Sequence, residues 1–223
     1  MGKLSIVATP IGNLEDITLR ALRTLKECDV IYAEDTRVIS KLLAHFGIRK
    51  SVMRLDAATE ARKAGEVIAR LEAGEHVAFV SDAGTPGISD PGARLVAQVK
   101  RFNLFTKIEA IPGASALTAA LSIAGIDANE FTFLGFLPHK KGRQTALKKL
   151  ATSQIPVILY ESPHRILKLL KELATLEVSK VTIARELTKI HEEVISGTPS
   201  EVLEHFNTHP DTVRGEFVVI VSP

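Results

Sequence analysis

Two hydrophobic patterns alternate along the first 125 residues of the chain. Compact apolar runs predict strands at LSIVA (4–8), VIYA (30–33), HVAFV (76–80) and KIEAIPG (107–113). Between these runs, apolar residues recur at helical spacing over 16–29, 36–47, 61–75, 92–102 and 114–125. The apolar face predicted for the first helix consists of Ile17, Leu19, Leu22 and Leu25. This alternation predicts a mostly parallel sheet with helices on both faces, and right-handed crossovers would bring the loops after the strands to one edge.

The pattern changes after Gly125. Further strands are predicted at FTFLGFL (131–137), PVILYE (156–161), VTIAREL (181–187), EEVISGT (192–198) and GEFVVIV (215–221). The last three follow one another with only one clear helix between them, which is typical of a mixed sheet. The basic connection PHKKGRQ (138–144) leads into a helix over 144–152. We therefore predict an α/β fold of two domains, with the boundary between 112 and 126: an N-terminal α/β domain over 1–115 and a C-terminal one over 116–223.

Composition narrows the classes of protein that this chain can represent. It has 223 residues, of which 45% are apolar and 24% charged, so it can bury a sizeable core. A net charge of +2 does not by itself indicate nucleic acid, although it leaves room for a local basic patch. Cys28 is the only cysteine and the seven histidines are scattered, so we predict no disulfide framework and no metal site. The N-terminal apolar run is too short for a signal peptide or a membrane span, so we expect a cytoplasmic protein without a membrane partner.

Five predicted strands end in unusual residues. These ends are ATPIGN (8–13), EDTR (34–37), SDAGTPGISDPG (81–92), IPGASA (111–116) and YESPHR (160–165). One glycine- or proline-rich turn is usually structural, but five at matching strand ends favour a ligand cleft. The sequence lacks a P-loop and lacks G-x-G-x-x-G after the first strand, which argues against ATP, NAD and FAD. HEEVI (191–195) lacks the second histidine of a zincin, and no G-x-S-x-G is present.

The ordered set of motifs resembles a known family. TPIGNLEDITLRAL, AEDTR, LLAHFGI, VSDAGTPGISDPG, PGASALTAAL, GFLP, YESPHR and ARELTK are similar, in this order, to the bacterial 2'-O-ribose methyltransferases of 16S ribosomal RNA, within the tetrapyrrole methylase superfamily. The resemblance runs from about Leu4 to the end of the chain. It implies two α/β domains, S-adenosylmethionine in the cleft between them, and a homodimer acting on a cytidine of 16S rRNA, within the decoding region of the 30S subunit.

The resemblance also implies which residues contact the cofactor. The loop that begins at Asp82 would wrap the methionine part, and a fixed carboxylate there is favourable beside the ammonium and sulfonium of S-adenosylmethionine. The implied cofactor contacts are Pro10, Gly12, Asp82, Ala83, Gly84, Thr85, Ser115, Ala116, Glu161 and Leu187.

A ribose hydroxyl needs a group that accepts its proton. The candidates are Glu34 and Asp35 beside Arg37, and Glu186 beside Arg185, although each could instead be a structural ion pair. His164 is the one histidine worth considering at the cleft, and it is equally well explained as a solvated residue at a helix start. The candidate RNA-binding cations are Arg37, Lys140, Lys141, Arg143 and Arg165.

Two other functions stay open at this point. The same fold could methylate a tetrapyrrole or another small acceptor, or the chain could be a cofactor-binding regulatory module without transfer activity.

Overall fold

The computed structural model describes residues 2–223. They divide into two compact units, the first ending at Ser115 and the second beginning at Ala116. Each unit is built on its own five-stranded sheet.

The first unit is a parallel sheet with two helices on each face. Its strands are β1 (Lys3–Val7), β2 (Val30–Ala33), β3 (Ser51–Arg54), β4 (His76–Val80) and β5 (Lys107–Ile111). Its helices are α1 (Leu19–Glu27), α2 (Thr36–His45), α3 (Glu60–Glu72) and α4 (Ala93–Phe102). The strand order is β3-β2-β4-β1-β5 and every pairing is parallel. The predicted parallel sheet is therefore confirmed, and the carboxyl ends of its strands share one edge.

The side chains of alternate strand positions fill two separate cores. On one face, Val7 of β1 packs in a cluster with Leu25 of α1 and Ile39 of α2. On the other face, Phe79 of β4 packs with Leu95 of α4 and with residues of α3. Helices on both faces explain why these strands are apolar throughout rather than alternating.

The predicted apolar face of α1 is wrong at one position. Leu19 is 87% exposed, because it is the first residue of the helix, directly after the N-cap Thr18, and faces away from the sheet. Ala21 takes its place and packs in the same core cluster as the predicted Leu25.

The second unit has a mixed sheet, as predicted. Its strands are β6 (Thr132–Phe136), β7 (Val157–Glu161), β8 (Lys180–Arg185), β9 (Glu193–Gly197) and β10 (Phe217–Ser222). Its helices are α5 (Ala116–Ile123), α6 (Arg143–Ala151), α7 (Ile166–Thr175) and α8 (Pro199–Thr208). In the order β6-β7-β10-β8-β9, only the first pair is parallel. Helices α6, α7 and α8 bury their apolar faces against one side of this sheet.

Two elements were missing from the prediction. β3 is a short edge strand of partly exposed residues, so its four positions give little hydrophobic signal. α7 did carry a signal, since Ile166, Leu169, Leu170 and Leu173 are buried and have the spacing of one helix face.

Within residues 2–223, no helix has the length and apolar character needed to span a bilayer. The same residues contain no group of three or more His, Cys, Asp or Glu side chains arranged to hold a metal ion. Cys28 is fully buried, and burial raises the pKa of its thiol to about 11, so it stays protonated at neutral pH.

Candidate functional site

The loop of residues 81–92 is fastened to the ends of two other strands. Thr9, after β1, and Gly84 form a two-way backbone bridge, with N–O distances of 2.9 and 3.0 Å. The Thr85 hydroxyl donates to the carbonyl of Ala114, after β5, at 3.1 Å. The ends of β1, β4 and β5 therefore hold this loop in a fixed position at the carboxyl edge of the sheet.

All three glycines of this loop, Gly84, Gly87 and Gly92, have a positive φ that L side chains rarely adopt. Gly84 has φ +74°, and a Cβ there would lie 3.3 Å from the Ile11 side chain. Gly92 has φ +127°, and a Cβ there would come within 2.9 Å of the Phe79 ring. Gly84 and Gly92 must be glycine because of both conformation and space.

A buried carboxylate that the sequence analysis missed anchors the far end of the loop. Glu60, the first residue of α3, is 4% exposed, and its Oε1 accepts hydrogen bonds from the backbone N–H groups of Gly92 and Leu95, both at 2.9 Å. It thereby caps the start of α4 from a neighbouring helix. Nothing in the local sequence distinguishes Glu60 from a surface glutamate, because its partners are more than thirty residues away.

Glu34 and Asp82 meet where β2 and β4 end. The Asp82 Oδ1 accepts the backbone N–H of Asp35 at 2.9 Å, which ties the loop to the start of α2. Burial raises the pKa of Glu34, and the negative charge of Asp82 raises it further, while the backbone N–H of Asp82 opposes the rise. The pKa of Glu34 therefore lies above its ordinary value.

Asp35 has a structural role, which its position directly before a predicted helix already suggests. It is the N-cap of α2, accepting the N–H of Arg37 at 2.8 Å, and its carboxylate also pairs with the Arg37 guanidinium. Hydrogen bonds from the Arg37 side chain and backbone lower the pKa of Asp35 to about 2. Because the folded-state pKa is depressed, this capping contribution is present above the usual Asp range and is lost as pH falls toward 2.

A fourth carboxylate at this edge, Asp56, was not predicted. It follows β3, pairs with Arg54 at 2.8 Å and caps the turn at Thr59. Its negative charge contributes to the raised pKa of Glu34. The edge therefore carries four carboxylates, Glu34, Asp35, Asp56 and Asp82, against the two guanidinium groups of Arg37 and Arg54, and it suits a cationic ligand.

In the second unit, Glu161 has a buried carboxylate whose two oxygens are bonded differently. Its side chain is fully buried at the end of β7, and Oε1 accepts from the Ser162 N–H at 2.9 Å and pairs with Arg165 at 3.2 Å. Within residues 2–223, Oε2 has no hydrogen-bond partner. An unsatisfied buried carboxylate oxygen is costly, so it is a position at which a ligand donor would be favourable.

The segment after β8 is strained on both sides of Leu187. Glu186 has φ +49° and Thr188 has φ +65°, whereas the side chain of Leu187 is buried. Non-glycine residues in this region of backbone space cost energy and concentrate at functional positions. Leu187 lies at the same end of the sheet as Glu161, because Phe217 of β10 pairs with Glu161 on one side and with Arg185 on the other.

Glu186 and Arg185, for which an ion pair with each other was one of two alternatives, have different partners in the structure. Arg185 is buried and donates to Glu193 at 2.7 Å, while Glu186 pairs with Lys189 at 2.8 Å. Burial acts to raise the pKa of Glu186, but the hydrogen bonds from Lys189 and from the Glu216 N–H outweigh it, so the pKa is lowered. Glu186 is therefore held in an ion pair, and its pKa lies below its ordinary value.

The basic connection does not present all of its cations to solvent. Lys140 and Lys141 are exposed, and no ion pair involves either of them within residues 2–223. Arg143 is 4% exposed and forms a two-pronged ion pair with Glu172 of α7, with an Nε–Oε2 distance of 3.0 Å. The expectation that Arg143 contacts RNA is corrected, because its guanidinium is already enclosed by protein.

Arg165 is also occupied. In addition to its pair with Glu161, it donates to the Leu137 carbonyl at 2.6 Å, and its side chain is 16% exposed. This corrects its assignment as an RNA contact: Arg165 holds the buried carboxylate. Arg37, in contrast, leaves 85% of its side chain exposed despite its pair with Asp35.

The remaining predicted positions lie near these features or stand apart from them. Pro10 is buried directly after the Thr9–Gly84 bridge, and Gly12 is exposed two residues further on. Ala83 lies between Asp82 and Gly84, and its carbonyl accepts from the Ser81 hydroxyl at 3.3 Å. Ser115 and Ala116 are partly buried where α5 begins. His164 is exposed, as expected of a solvated residue before a helix.

Comparison with known proteins identifies the class. Residues 3–203 match the family model of Tetrapyrrole (Corrin/Porphyrin) Methylases, and the chain belongs to this family. Solved structures of the same fold include diphthine synthase, with a TM-score of 0.77 at 17% identity over 99% of this chain and 90% of that one. A uroporphyrin-III C-methyltransferase from Thermus thermophilus in complex with S-adenosylhomocysteine superposes with a TM-score of 0.67 at 18% identity, covering 99% of this chain and 97% of the other.

Closer relatives share one name, Ribosomal RNA small subunit methyltransferase I. The protein of this name from Thermotoga maritima is 43% identical, over 100% of this chain and 99% of its own length. The one from Xylella fastidiosa is 46% identical, over 99% of this chain and 81% of its own length.

Proposed function

We propose that this chain transfers a methyl group from S-adenosylmethionine to the ribose 2'-hydroxyl of a cytidine in 16S rRNA, at the decoding region of the 30S subunit, in the cytoplasm. The observation that carries the proposal is the similarity along the whole chain to relatives named for ribosomal RNA methylation. The electronegative strand edge supports the cofactor, because S-adenosylmethionine carries an ammonium and a sulfonium group.

The proposed cofactor contacts are those that the family resemblance implies. In the first unit these are Pro10, Gly12, Ser115 and the loop from Asp82 to Thr85. Ala116, Glu161 and Leu187 are the corresponding positions of the second unit. The spare oxygen of Glu161 and the strained backbone around Leu187 support the last two. When bound, S-adenosylmethionine supplies an electrophilic methyl group on sulfur.

Glu34 is the proton acceptor in this proposal. Transfer forms a bond between the ribose oxygen and the methyl carbon, breaks the carbon–sulfur bond, and releases the hydroxyl proton to the Glu34 carboxylate. A general base works best when its pKa lies near the working pH, and Glu34 is the one candidate whose pKa is raised. Asp35 and Glu186 have lowered pKa values and engaged carboxylates.

RNA attraction in this proposal comes from few cations. Arg37, Lys140 and Lys141 are exposed, whereas the net charge of the chain is only +2. Affinity for phosphates scales with the number of neutralised charges, so a preformed ribosomal surface would have to supply shape and further contacts. Hence we expect the assembled 30S subunit to be a better substrate than free rRNA.

The acceptor is tested by offering three substrates to one preparation. Methyl incorporation from labelled cofactor is measured into purified 30S subunits, free 16S rRNA and a tetrapyrrole. We expect transfer to 30S subunits, with the label in 2'-O-methylcytidine after nuclease digestion and mass spectrometry. Transfer to the tetrapyrrole and to neither RNA would overturn the proposal in favour of a small acceptor.

Asp82→Asn should weaken binding of S-adenosylmethionine about tenfold or more. The substitution keeps the shape but removes the charge, and one charged hydrogen bond contributes about 1.5–3 kcal/mol. Asp90→Asn in the same loop is the matched control, and calorimetry with S-adenosylhomocysteine as a second ligand makes the comparison. An equal loss of affinity in both variants would show that the carboxylate has been misassigned.

We further propose that the chain is a homodimer. Ile123 of α5, Phe131 directly before β6 and Phe136 at the end of β6 are large apolar residues that are 45%, 38% and 54% exposed. Exposed apolar surface of this kind favours association in symmetric pairs. Sedimentation at low micromolar concentration should give twice the 24.2 kDa chain mass, and a monomer there would contradict the proposal.

A further inference from the structure

A basic segment with exposed apolar residues at its tip lies apart from the site described above. Residues 91–108 cover α4 and the turn into β5, and they include four cations and no Asp or Glu: Arg94, Lys100, Arg101 and Lys107. Within residues 2–223, no ion pair involves Arg94, Lys100 or Arg101. Lys107 lies 4.0 Å from Glu109, whose carboxylate already has a closer partner in Lys3. The segment therefore keeps most of its positive charge uncompensated.

The tip of this segment is an ordered turn. The carbonyl of Asn103 accepts the N–H of Thr106 at 3.2 Å, and the Asn103 side chain accepts the N–H of Phe105 at 2.8 Å. Thr106 is buried, which anchors the turn to the sheet. The two central residues, Leu104 and Phe105, are directed outward by this geometry.

No packing contact within the first unit explains why Leu104 and Phe105 are exposed. Leu104 is 83% exposed and Phe105 92%, and the adjacent Phe102 is 50% exposed. Central turn positions are normally filled by Gly, Asn, Asp, Pro or Ser. An apolar pair that breaks this local rule without gaining contacts in the fold is the kind of departure that marks a binding position.

The charges decide between possible partners. A second copy of the chain is disfavoured, because a two-fold contact through this turn would bring the same cations of both copies together. A strand of nucleic acid provides what both features need, since phosphates complement the cations and every unpaired base has a flat face for an aromatic ring.

We propose that residues 91–108 form a second RNA-contact surface, in which Arg94, Lys100, Arg101 and Lys107 approach phosphates and Phe105 stacks on an unpaired base. This proposal rests on the proposed function, which makes RNA the substrate. α4 begins directly after Gly92, the last residue of the loop that holds Asp82, and its ten residues extend about 15 Å from there. The surface thus lengthens the RNA footprint away from the proposed cofactor site rather than adding to the site itself.

The first test measures binding of a short labelled pyrimidine oligoribonucleotide by fluorescence anisotropy. Phe105→Ser should lower the affinity about tenfold, in line with the loss of one stacked base. Phe105→Trp should keep the affinity, and Phe105→Leu should lose it as Phe105→Ser does, because leucine is apolar but has no ring. Leu19→Ser is the matched control, since it removes an equally exposed apolar side chain from α1.

The second test uses salt dependence. For a single strand, the slope of log affinity against log salt changes by about 0.7 for each lost phosphate contact, so Lys100→Gln with Arg101→Gln should make it shallower by about 1.4. Arg23→Gln with Lys26→Gln removes the same charge from the exposed side of α1 and should leave the slope nearly unchanged.

Several results would overturn this surface. Full RNA affinity in Phe105→Leu or equal slopes in both charge variants would do so. A change of oligomeric state in Phe105→Ser would show that the partner is a second copy of the chain. If Phe105→Ser lost binding to vesicles of anionic lipid but kept its RNA affinity, the partner would be a membrane surface. The two proposals fail separately. Normal methylation of 30S subunits with RNA binding insensitive to Phe105 rejects only this surface. RNA binding that depends on Phe105, without methylation of any RNA, rejects only the proposed function.

Discussion

Glu34→Gln should lower the rate of methyl transfer to 30S subunits by about 10²- to 10⁴-fold, the usual contribution of a positioned general base. The amide keeps the size and most hydrogen bonds of the carboxylate but accepts no proton. Binding of S-adenosylmethionine should change far less, because the Asp82 carboxylate remains. Single-turnover rates and calorimetry separate the two effects.

The stability of the same variant has a definite sign. Burial and the charge of Asp82 raise the folded-state pKa of Glu34 above its unfolded value, so ionised Glu34 opposes folding at neutral pH. Glu34→Gln should therefore melt at the same temperature as the parent protein or higher at pH 7. For the same reason, the rate should increase with pH through the raised pKa of Glu34 and then level off.

Glu186→Gln is the matched control for this experiment. Glu186 is held by Lys189 and by the Glu216 N–H, so the substitution should affect stability before chemistry. A large loss of rate in Glu186→Gln, with Glu34→Gln fully active, would transfer the role of proton acceptor to the second unit.

Arg143→Ala should lower the free energy of unfolding by about 3–5 kcal/mol. Removing one partner of a buried ion pair leaves Glu172 as an uncompensated charge, with 17% of its side chain exposed. The guanidinium also donates to the Pro138 carbonyl at 3.3 Å, so the connection before α6 loses an anchor. Urea unfolding at neutral pH measures the effect.

Two further variants give this prediction its controls. Arg143→Met combined with Glu172→Met should recover much of the loss, because replacing both members of a buried pair removes the unpaired charge. Lys141→Ala, at an exposed neighbour, should stay within about 0.5 kcal/mol of the parent protein. A stable Arg143→Ala protein that had lost only RNA methylation would restore the sequence expectation that Arg143 contacts RNA.

The three cations of the basic connection differ in their surroundings in a way that the sequence does not indicate. Lys140, Lys141 and Arg143 look alike in sequence, as cations in a breaker-rich segment. The structure separates them, since Arg143 is the first residue of α6 and faces the α7 carboxylate of Glu172. That partner is twenty-nine residues away, so local sequence gives no sign of it.

The sequence alone determined most of the architecture of this protein, apart from β3 and α7. Strand and helix periodicity predicted a parallel sheet followed by a mixed one, because hydrophobic spacing is a local property that each element carries in its own residues. The ordered motifs at the strand ends likewise indicated the family, and they marked the loop of residues 81–92 as the place to look for a ligand.

Only the tertiary structure decided what the charged residues do. In the fold, the pKa of Glu34 is raised and that of Asp35 is lowered. Arg185 pairs with Glu193, and Glu60 caps a helix more than thirty residues away. The physical reason is that the energy of a charge depends on burial and on every neighbour within a few ångströms. Those neighbours come from strands and helices far apart in the chain, and only the folded sheet brings them together.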